Sequence, residues 1–306
     1  MLVDTKKILN YAHNQKYAIG HFNINNMEIL QGVVQAAENL KSPIIIATSE
    51  GAINYAGINF LYNLSLTASE LSNAPIALHL DHGKDPEIIR KCIKIGYSSV
   101  MIDASHYDFE KNIRLTKQIV SLAHRKGISV EAELGTIGGA EDLVSERKIL
   151  YTEPDKAKEF IDRTGCDFLA IAIGTSHGAY KFQKEAKLNI ELLKKIKAKT
   201  NIPLVLHGAS GVPPPLVDLA TKYGAKLSGV KGVPDSQIKL AVKNGINKVN
   251  TDTDLRMAFN AAVRKQVFDH PEEFDPRKIL SPARELIQKV VENRIKQFGS
   301  INKIQR

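Results

Sequence analysis

Short runs rich in isoleucine, valine, leucine and alanine recur along the chain. Most are followed by a stretch in which apolar residues return every three or four positions. The β-leaning runs are YAIGHFN (17–23), PIIIATS (43–49), PIALHLD (75–81), SSVMID (98–103), ISVEAEL (128–134), DFLAIAI (167–173), IPLVLH (202–207) and INKVN (246–250). Between them lie amphipathic stretches such as NMEILQGVVQAAENLK and FEKNIRLTKQIVSLAHRKG, whose spacing predicts helices. Gly96, Gly127, Gly165 and Gly245 stand just before the next run, where glycine readily closes a helix. Eight strand–helix units predict an α/β fold with a parallel sheet, closed as a (β/α)8 TIM barrel rather than opened as a Rossmann sheet. The glycines of GTIGGAE do not join a first strand to a helix, which counts against nicotinamide binding. The expected organisation is a single barrel domain over residues 1–306 with a helical extension at its C-terminus.

In such a barrel the chemistry gathers at the C-terminal ends of the strands. The second run ends in Ser49-Glu50-Gly51, the third in Asp81-His82 and the fourth in Asp103. Glu131 and Glu133 of the fifth run are two residues apart and therefore share a face. The sixth leads into Gly174-Thr175-Ser176-His177-Gly178, the seventh ends in His207-Gly208-Ala209-Ser210, and the eighth in Asn250-Thr251-Asp252. A carboxylate and an imidazole beside an apolar core are costly unless they are paired or bind a metal. His82, His177 and His207 stand at three different strand ends, which suits a catalytic zinc with three protein ligands and an open position. His21 and His79 lie inside runs and are expected to pack within the barrel, whereas His13, His124 and His270 fall in helical or terminal contexts and are expected at the surface. His106, just beyond Asp103, is the nearest competing ligand. Asp103 and Glu133 offer either a second cation site or partners that orient the first ligands.

Composition narrows the function without choosing it. Lys+Arg exceeds Asp+Glu by 42 − 33 = 9 in a chain of 306 residues. The basic residues are spread through KKIKAK, RKCIKI and NKIQR without aromatic interleaving, so the excess implies attraction for an anionic small substrate and no nucleic-acid partner. No apolar run approaches the roughly 18 residues of a membrane span, and no membrane partner is expected. Cys92 and Cys166 match no CxxC pattern and read as reduced thiols, which places the protein in the cytoplasm.

The motifs ATSEGA, HLDHG, SVMIDASH, SVEAELG, AIGTSHGAYKF, PLVLHGASG, KGVP and INKVNTDTDLR, in this order, resemble the class II, zinc-dependent fructose-1,6-bisphosphate aldolases over nearly the whole chain. The resemblance implies aldol cleavage of fructose 1,6-bisphosphate in glycolysis and gluconeogenesis. It implies zinc on His82, His177 and His207, with Asp103 and Glu133 at a second divalent position, and an assisting monovalent cation. It assigns the catalytic proton donor to Asp81, and substrate contacts to Ser49, Gly178, Lys181, Gly208, Ala209, Ser210, Asn250, Thr251, Asp252, Thr253 and Arg256. Arg277, in FDPRK, matches an arginine that reaches the site of a neighbouring subunit, which implies a homodimer or larger assembly. Lys84 departs from the small hydroxyl residue expected after DHG.

The residues support the same chemistry. The sixth run ends in AIGTSH without a lysine, so a Schiff base is not expected there, and a Lewis-acid metal is the other way to stabilise the enediolate. The glycine-rich loop GTIGGAEDLVSERK is long enough for a lid, and Glu141 on it is a candidate for exchanging the C3 proton of dihydroxyacetone phosphate, with Glu131 its rival. Tagatose-bisphosphate aldolase is the nearest alternative reading. Asp252 argues for the fructose sugar, unless it merely caps the following helix. A zinc hydrolase would be expected to carry an HxH pair in the first run, where only GHFN stands.

Overall fold

A computed structural model describes residues 1–141, 144–146, 150–177, 187–227 and 230–304. Its strands are β1 (Ile19–Asn23), β2 (Ile44–Ser49), β3 (Ile76–Gly83), β4 (Ser99–Ile102), β5 (Ser129–Leu134), β6 (Gly138–Glu141), β7 (Val144–Glu146), β8 (Phe168–Ile171), β9 (Ser176–His177), β10 (Leu204–Leu206) and β11 (Ile246–Thr251). Eight of them close a parallel barrel in the order β1-β11-β10-β8-β5-β4-β3-β2. These eight are the runs read from the sequence. The other three form a small sheet, β7-β6-β9, in which β6 runs antiparallel to β7 and parallel to β9. The sequence pattern predicts only a loop at β6 and β7, because the pairing partner β9 lies far along the chain.

Local chemistry explains where the helices begin and end. Asp4, Asn26, Asp85, Asp108, Asn189 and Asp275 each accept a backbone N–H from the first turn that follows. Gly96 and Gly165 are left-handed caps at helix C-termini, while Gly127 and Gly245 take positive φ just past the caps Arg125 and Asn244.

Alternation along the strands divides the core into two parts. Outward residues such as Ile44, Leu78, Val100, Val130, Leu169 and Leu206 pack under the helices in the main hydrophobic cluster. Inward residues form layers. At the lower, N-terminal end Ile19, Ile45, Ala77, Phe168 and Val205 meet Ile8, Leu9 and Ala12 of the helix Thr5–Gln15, which seals that end. Above them His21, His79, Ser99, Glu131 and Lys248 are buried, and above those Asn23, Asp81, Asp103, Glu133, His207 and Asn250. The long helix Pro276–Phe298 packs on helices Met27–Asn39 and Thr253–Asp269, and its Ala283, Ile287, Val291, Ile295 and Phe298 join the main core. Gly32 permits this approach, since a Cβ there would sit 2.8 Å from the Arg284 carbonyl oxygen. Among the described residues no helix is long and apolar enough to cross a membrane.

Candidate active site

The end of β3 makes the sharpest local demand on the backbone. Asp81 faces inward, and His82 follows with φ of 46°, a left-handed conformation that a side chain adopts only when its surroundings hold it there. Gly83 comes next, where a Cβ would lie 2.4 Å from the Met101 carbonyl oxygen. The turn therefore swings the imidazole of His82 towards β4 and β10. His82 Nδ1 lies 2.9 Å from Asp103 Oδ2, and its ring centroid is 4.5 Å from that of His207.

His207 is fully buried between two carboxylates. Its Nε2 is 2.7 Å from Glu131 Oε1, and its Nδ1 is 3.0 Å from Glu133 Oε2. Glu133 Oε2 is itself buried and makes no hydrogen bond among the described residues. Potential ligand atoms of Asp81, His82 and His207 lie within 4.8 Å of one another, and so do those of His82, Asp103 and Glu133. Burial opposes charge on His82, yet Asp81, Asp103 and Glu133 lift its pKa to about 10. His207 is likewise raised, with burial and His82 opposing and Glu131 and Glu133 prevailing. The carboxylates thus create a strong demand for positive charge at these two rings. A divalent cation would meet that demand in place of the protons, with neutral imidazoles as its ligands. The donor set fits zinc: His82 carries Asp103 on one nitrogen, and His207 stands between Glu131 and the buried Glu133, whose Oε2 is 3.0 Å from Nδ1.

Of His177 only the backbone is described, at β9. That backbone packs directly on the turn after β10: Gly208 has φ of 59°, and a Cβ there would sit 2.6 Å from the Ser176 carbonyl oxygen. The His177 segment is thereby brought against His207. The small sheet adds the hairpin to the same place, because Gly138 pairs with Ser176 and Gly139 with His177. The side chain of Glu141, at the end of β6, lies outside the described residues, as do Gly178 and Lys181.

Asp81 is 7% exposed and gripped from two sides. Asn23 Nδ2 donates to its Oδ2 at 2.8 Å, and Asn250 Nδ2 to its Oδ1 at 3.1 Å. Burial works against its charge, but His21, His82, His207 and Lys248 hold its pKa well below the ordinary carboxylate range. Asp81, His82, Asn23, Gly208, Ala209, Ser210, Asn250 and Asp252 line one small cleft. Beside it Gly211 and Val212 donate backbone N–H groups to Asp254, which pairs with the buried Arg294 of the last helix. Thr251 and Thr253 are buried at the same end.

Asp252 stands at the N-terminus of helix Thr253–Asp269 but makes no side-chain cap. Instead Arg256 holds both its oxygens, at 2.8 and 2.7 Å. Ser49 is level with Asp81 in the sheet, and its Oγ accepts the N–H of Ala52, capping the helix Glu50–Ala56. Arg277 lies apart from this cluster. Its side chain is 88% exposed, and its guanidinium meets only Asp275 among the described residues.

Three contributors escaped the sequence reading. Asn23 and Lys248 sit two residues from His21 and Asn250, on the same inward faces, and that spacing was the available signal. Glu50 is the third: its carboxylate accepts the N–H of Lys84 and of Asp85, each at 2.7 Å, and so fixes the loop after β3. Glu131 is wholly enclosed, between His207, His79 and Lys248, whose Nζ is 2.9 Å from Oε2.

Residues 3–303 match the family described as Fructose-bisphosphate aldolase class-II. The fructose-bisphosphate aldolase of Giardia intestinalis is 47% identical over 302 residues, covering 98% of this chain and 93% of that protein. That of Thermus caldophilus is 46% identical over 305 residues, covering 99% and 100%. The crystal structure of the YdjI aldolase from Escherichia coli K12 superposes with a TM-score of 0.82 at 36% identity, over 100% of both chains.

Proposed function

The chain belongs to the class II fructose-bisphosphate aldolase family, and from that premise we propose which residues perform its reaction. The reaction is the reversible cleavage of fructose 1,6-bisphosphate to dihydroxyacetone phosphate and glyceraldehyde 3-phosphate, a step of glycolysis and gluconeogenesis. His82, His177 and His207 would hold the zinc ion, which would supply Lewis-acid stabilisation of the negative charge that develops at the substrate ketone. Asp103 orients His82, and Glu133 stands beside His207; together they also form the candidate second divalent position.

Asp81 takes the proton from the C4 hydroxyl in cleavage and returns it in condensation. The observation that carries this reading is its carboxylate: ionised, buried in the cleft beside His82 and His207, and fixed by two amides. Glu141 exchanges the C3 proton. The pairing of its hairpin with the His177 segment supports that role, and the enclosure of Glu131 by Lys248 and His207 argues against the rival. Backbone N–H groups of Gly208 to Ser210 and the residues Ser49, Gly178, Lys181, Asn250 to Thr253 and Arg256 receive the phosphorylated sugar. Asp252, drawn to the cleft rather than to a helix cap, favours the fructose over the tagatose bisphosphate.

Zinc content and triose phosphate release from the two hexose bisphosphates test the assignment. Full turnover by rigorously metal-free protein would refute it. We also read residues 1–306 as one domain, which predicts a single cooperative unfolding transition. The exposed Arg277 serves a partner subunit's substrate, so mixing Arg277→Ala with Asp81→Ala chains restores activity; mixed oligomers that stay inactive would sink this role. The two buried free thiols, Cys92 and Cys166, accord with a cytoplasmic protein, which cell fractionation checks.

A further inference from the structure

Asp81 is held by two asparagines, and a primary amide can be inserted either way round. Its oxygen and nitrogen are nearly the same size, but one accepts and the other donates. Turned the wrong way, either amide would present an oxygen to an ionised carboxylate and repel it. What sets the orientation lies one layer down in the barrel.

Behind Asn250 stands Lys248, fully buried, whose Nζ donates to Asn250 Oδ1 at 2.8 Å. An ammonium has donors only, so it accepts no orientation but the one with oxygen towards it, and Nδ2 must then face Asp81. Behind Asn23 stands His21, also fully buried, whose Nε2 is 3.0 Å from Asn23 Oδ1. His21 Nδ1 has no hydrogen-bond partner among the described residues, so the proton of the neutral ring is best used on Nε2, as the donor to Asn23. Each arm is therefore a relay of the same polarity: donor, amide oxygen, amide nitrogen, carboxylate. The two relays end on different oxygens of Asp81.

We propose that His21 and Lys248 are positioning residues, which fix the Asp81 carboxylate by setting which way round Asn23 and Asn250 present their amides. The proposal rests on the reading of Asp81 as the proton-transfer group. Neither residue lines the cleft, though His21 Nε2 also lies 3.7 Å from Asp81 Oδ2. Their effect is on the rate of the chemical step, because they fix the angle and charge balance of the carboxylate and leave the groups that bind phosphate in place.

The test is a set of steady-state measurements on zinc-loaded enzyme. His21→Phe keeps a buried planar ring and removes the donor; Lys248→Met keeps the aliphatic stem and removes the ammonium. Each is expected to lower kcat about tenfold, the size of a lost hydrogen bond to a charged group. KM for fructose 1,6-bisphosphate and zinc per chain should hold, KM within about twofold. Combined with Asp81→Ala, each should cost nothing further, since the group it acts through is gone. An equal fold-loss in the Asp81→Ala background would overturn the proposal, and so would a His21→Phe enzyme with wild-type kcat. Lys248→Met leaves Glu131 buried without its counter-charge, so where that chain fails to fold His21→Phe decides alone. Full kcat in Asp81→Ala itself would sink the role of Asp81 instead.

Discussion

The two ends of the barrel are built from the same strands, but their inward residues obey different constraints. At the lower end Ile45, Ala77, Phe168 and Val205 fill space against the helix Thr5–Gln15, and each gains by leaving water. At the upper end Asp81, Glu133 and His207 occupy equivalent inward positions and are buried at a cost, recovered only through contacts with one another. The layer between them, with His21, Glu131 and Lys248, is as dry as the lower end and as polar as the upper one. Space-filling apolar packing resides below and the paired polar groups above, with the middle layer joining the two.

His207→Ala should do the greatest damage at the upper end. It removes a proposed ligand and leaves Glu131 and Glu133 facing a void, so zinc and activity should disappear together, as metal analysis beside an assay will show. Asp81→Ala comes next. Zinc should stay bound, while kcat falls by roughly 10²–10⁴-fold, the usual contribution of a general acid–base group. Loss of zinc with normal turnover on metal addition would count against it.

At the lower end the effect should change in kind. Ile45→Ala is expected to cost about 2–5 kcal/mol of stability through the cavity it opens, measured by denaturant unfolding, with kcat of the folded fraction unchanged. A large fall in kcat there would erase the division between the ends. Asp252→Ala should narrow the preference for fructose over tagatose bisphosphate by about tenfold in kcat/KM, the value of one hydrogen bond to a charged group. An unchanged ratio would return Asp252 to a structural role.

The smallest effect concerns the lower rim, where burial lowers the pKa of Lys197 to about 8, beside His13 and Asn247. Below about 8 the ammonium is charged in both folded and unfolded chains, and folding bears the full penalty of burying it. Between about 8 and the ordinary 10.5 the folded chain has released the proton while the unfolded chain keeps it, so stability rises with pH across that window. Urea midpoints of the wild type relative to Lys197→Met should therefore climb over this range, and a flat difference would show that Lys197 keeps its proton.

Much of this was legible in the chain. Strand and helix order followed from local periodicity, and the polar strand ends at Asp81-His82, Asp103 and His207 pointed to the cluster that the structure brings together, because a barrel sends all its strand ends to one mouth. The hairpin β6–β7 was read as a loop, since its pairing with β9 joins residues some 38 positions apart, Gly138 with Ser176. Lys248 escaped, although its place two residues before Asn250 in the run INKVN sets it on the same inward face.

The alternation of strands and helices, the side of each strand that faces inward and the kinds of donor at the strand ends can all be read along the chain. These depend on residue type and on spacing within a few positions. The contacts of Glu131 with His207 and Lys248, and the grip of Asn23 and Asn250 on opposite oxygens of Asp81, exist only in the folded chain. Those partners come from different strands or turns, and hydrogen-bond polarity is fixed only when closure of the barrel brings a donor on one element within about 3 Å of an acceptor on another.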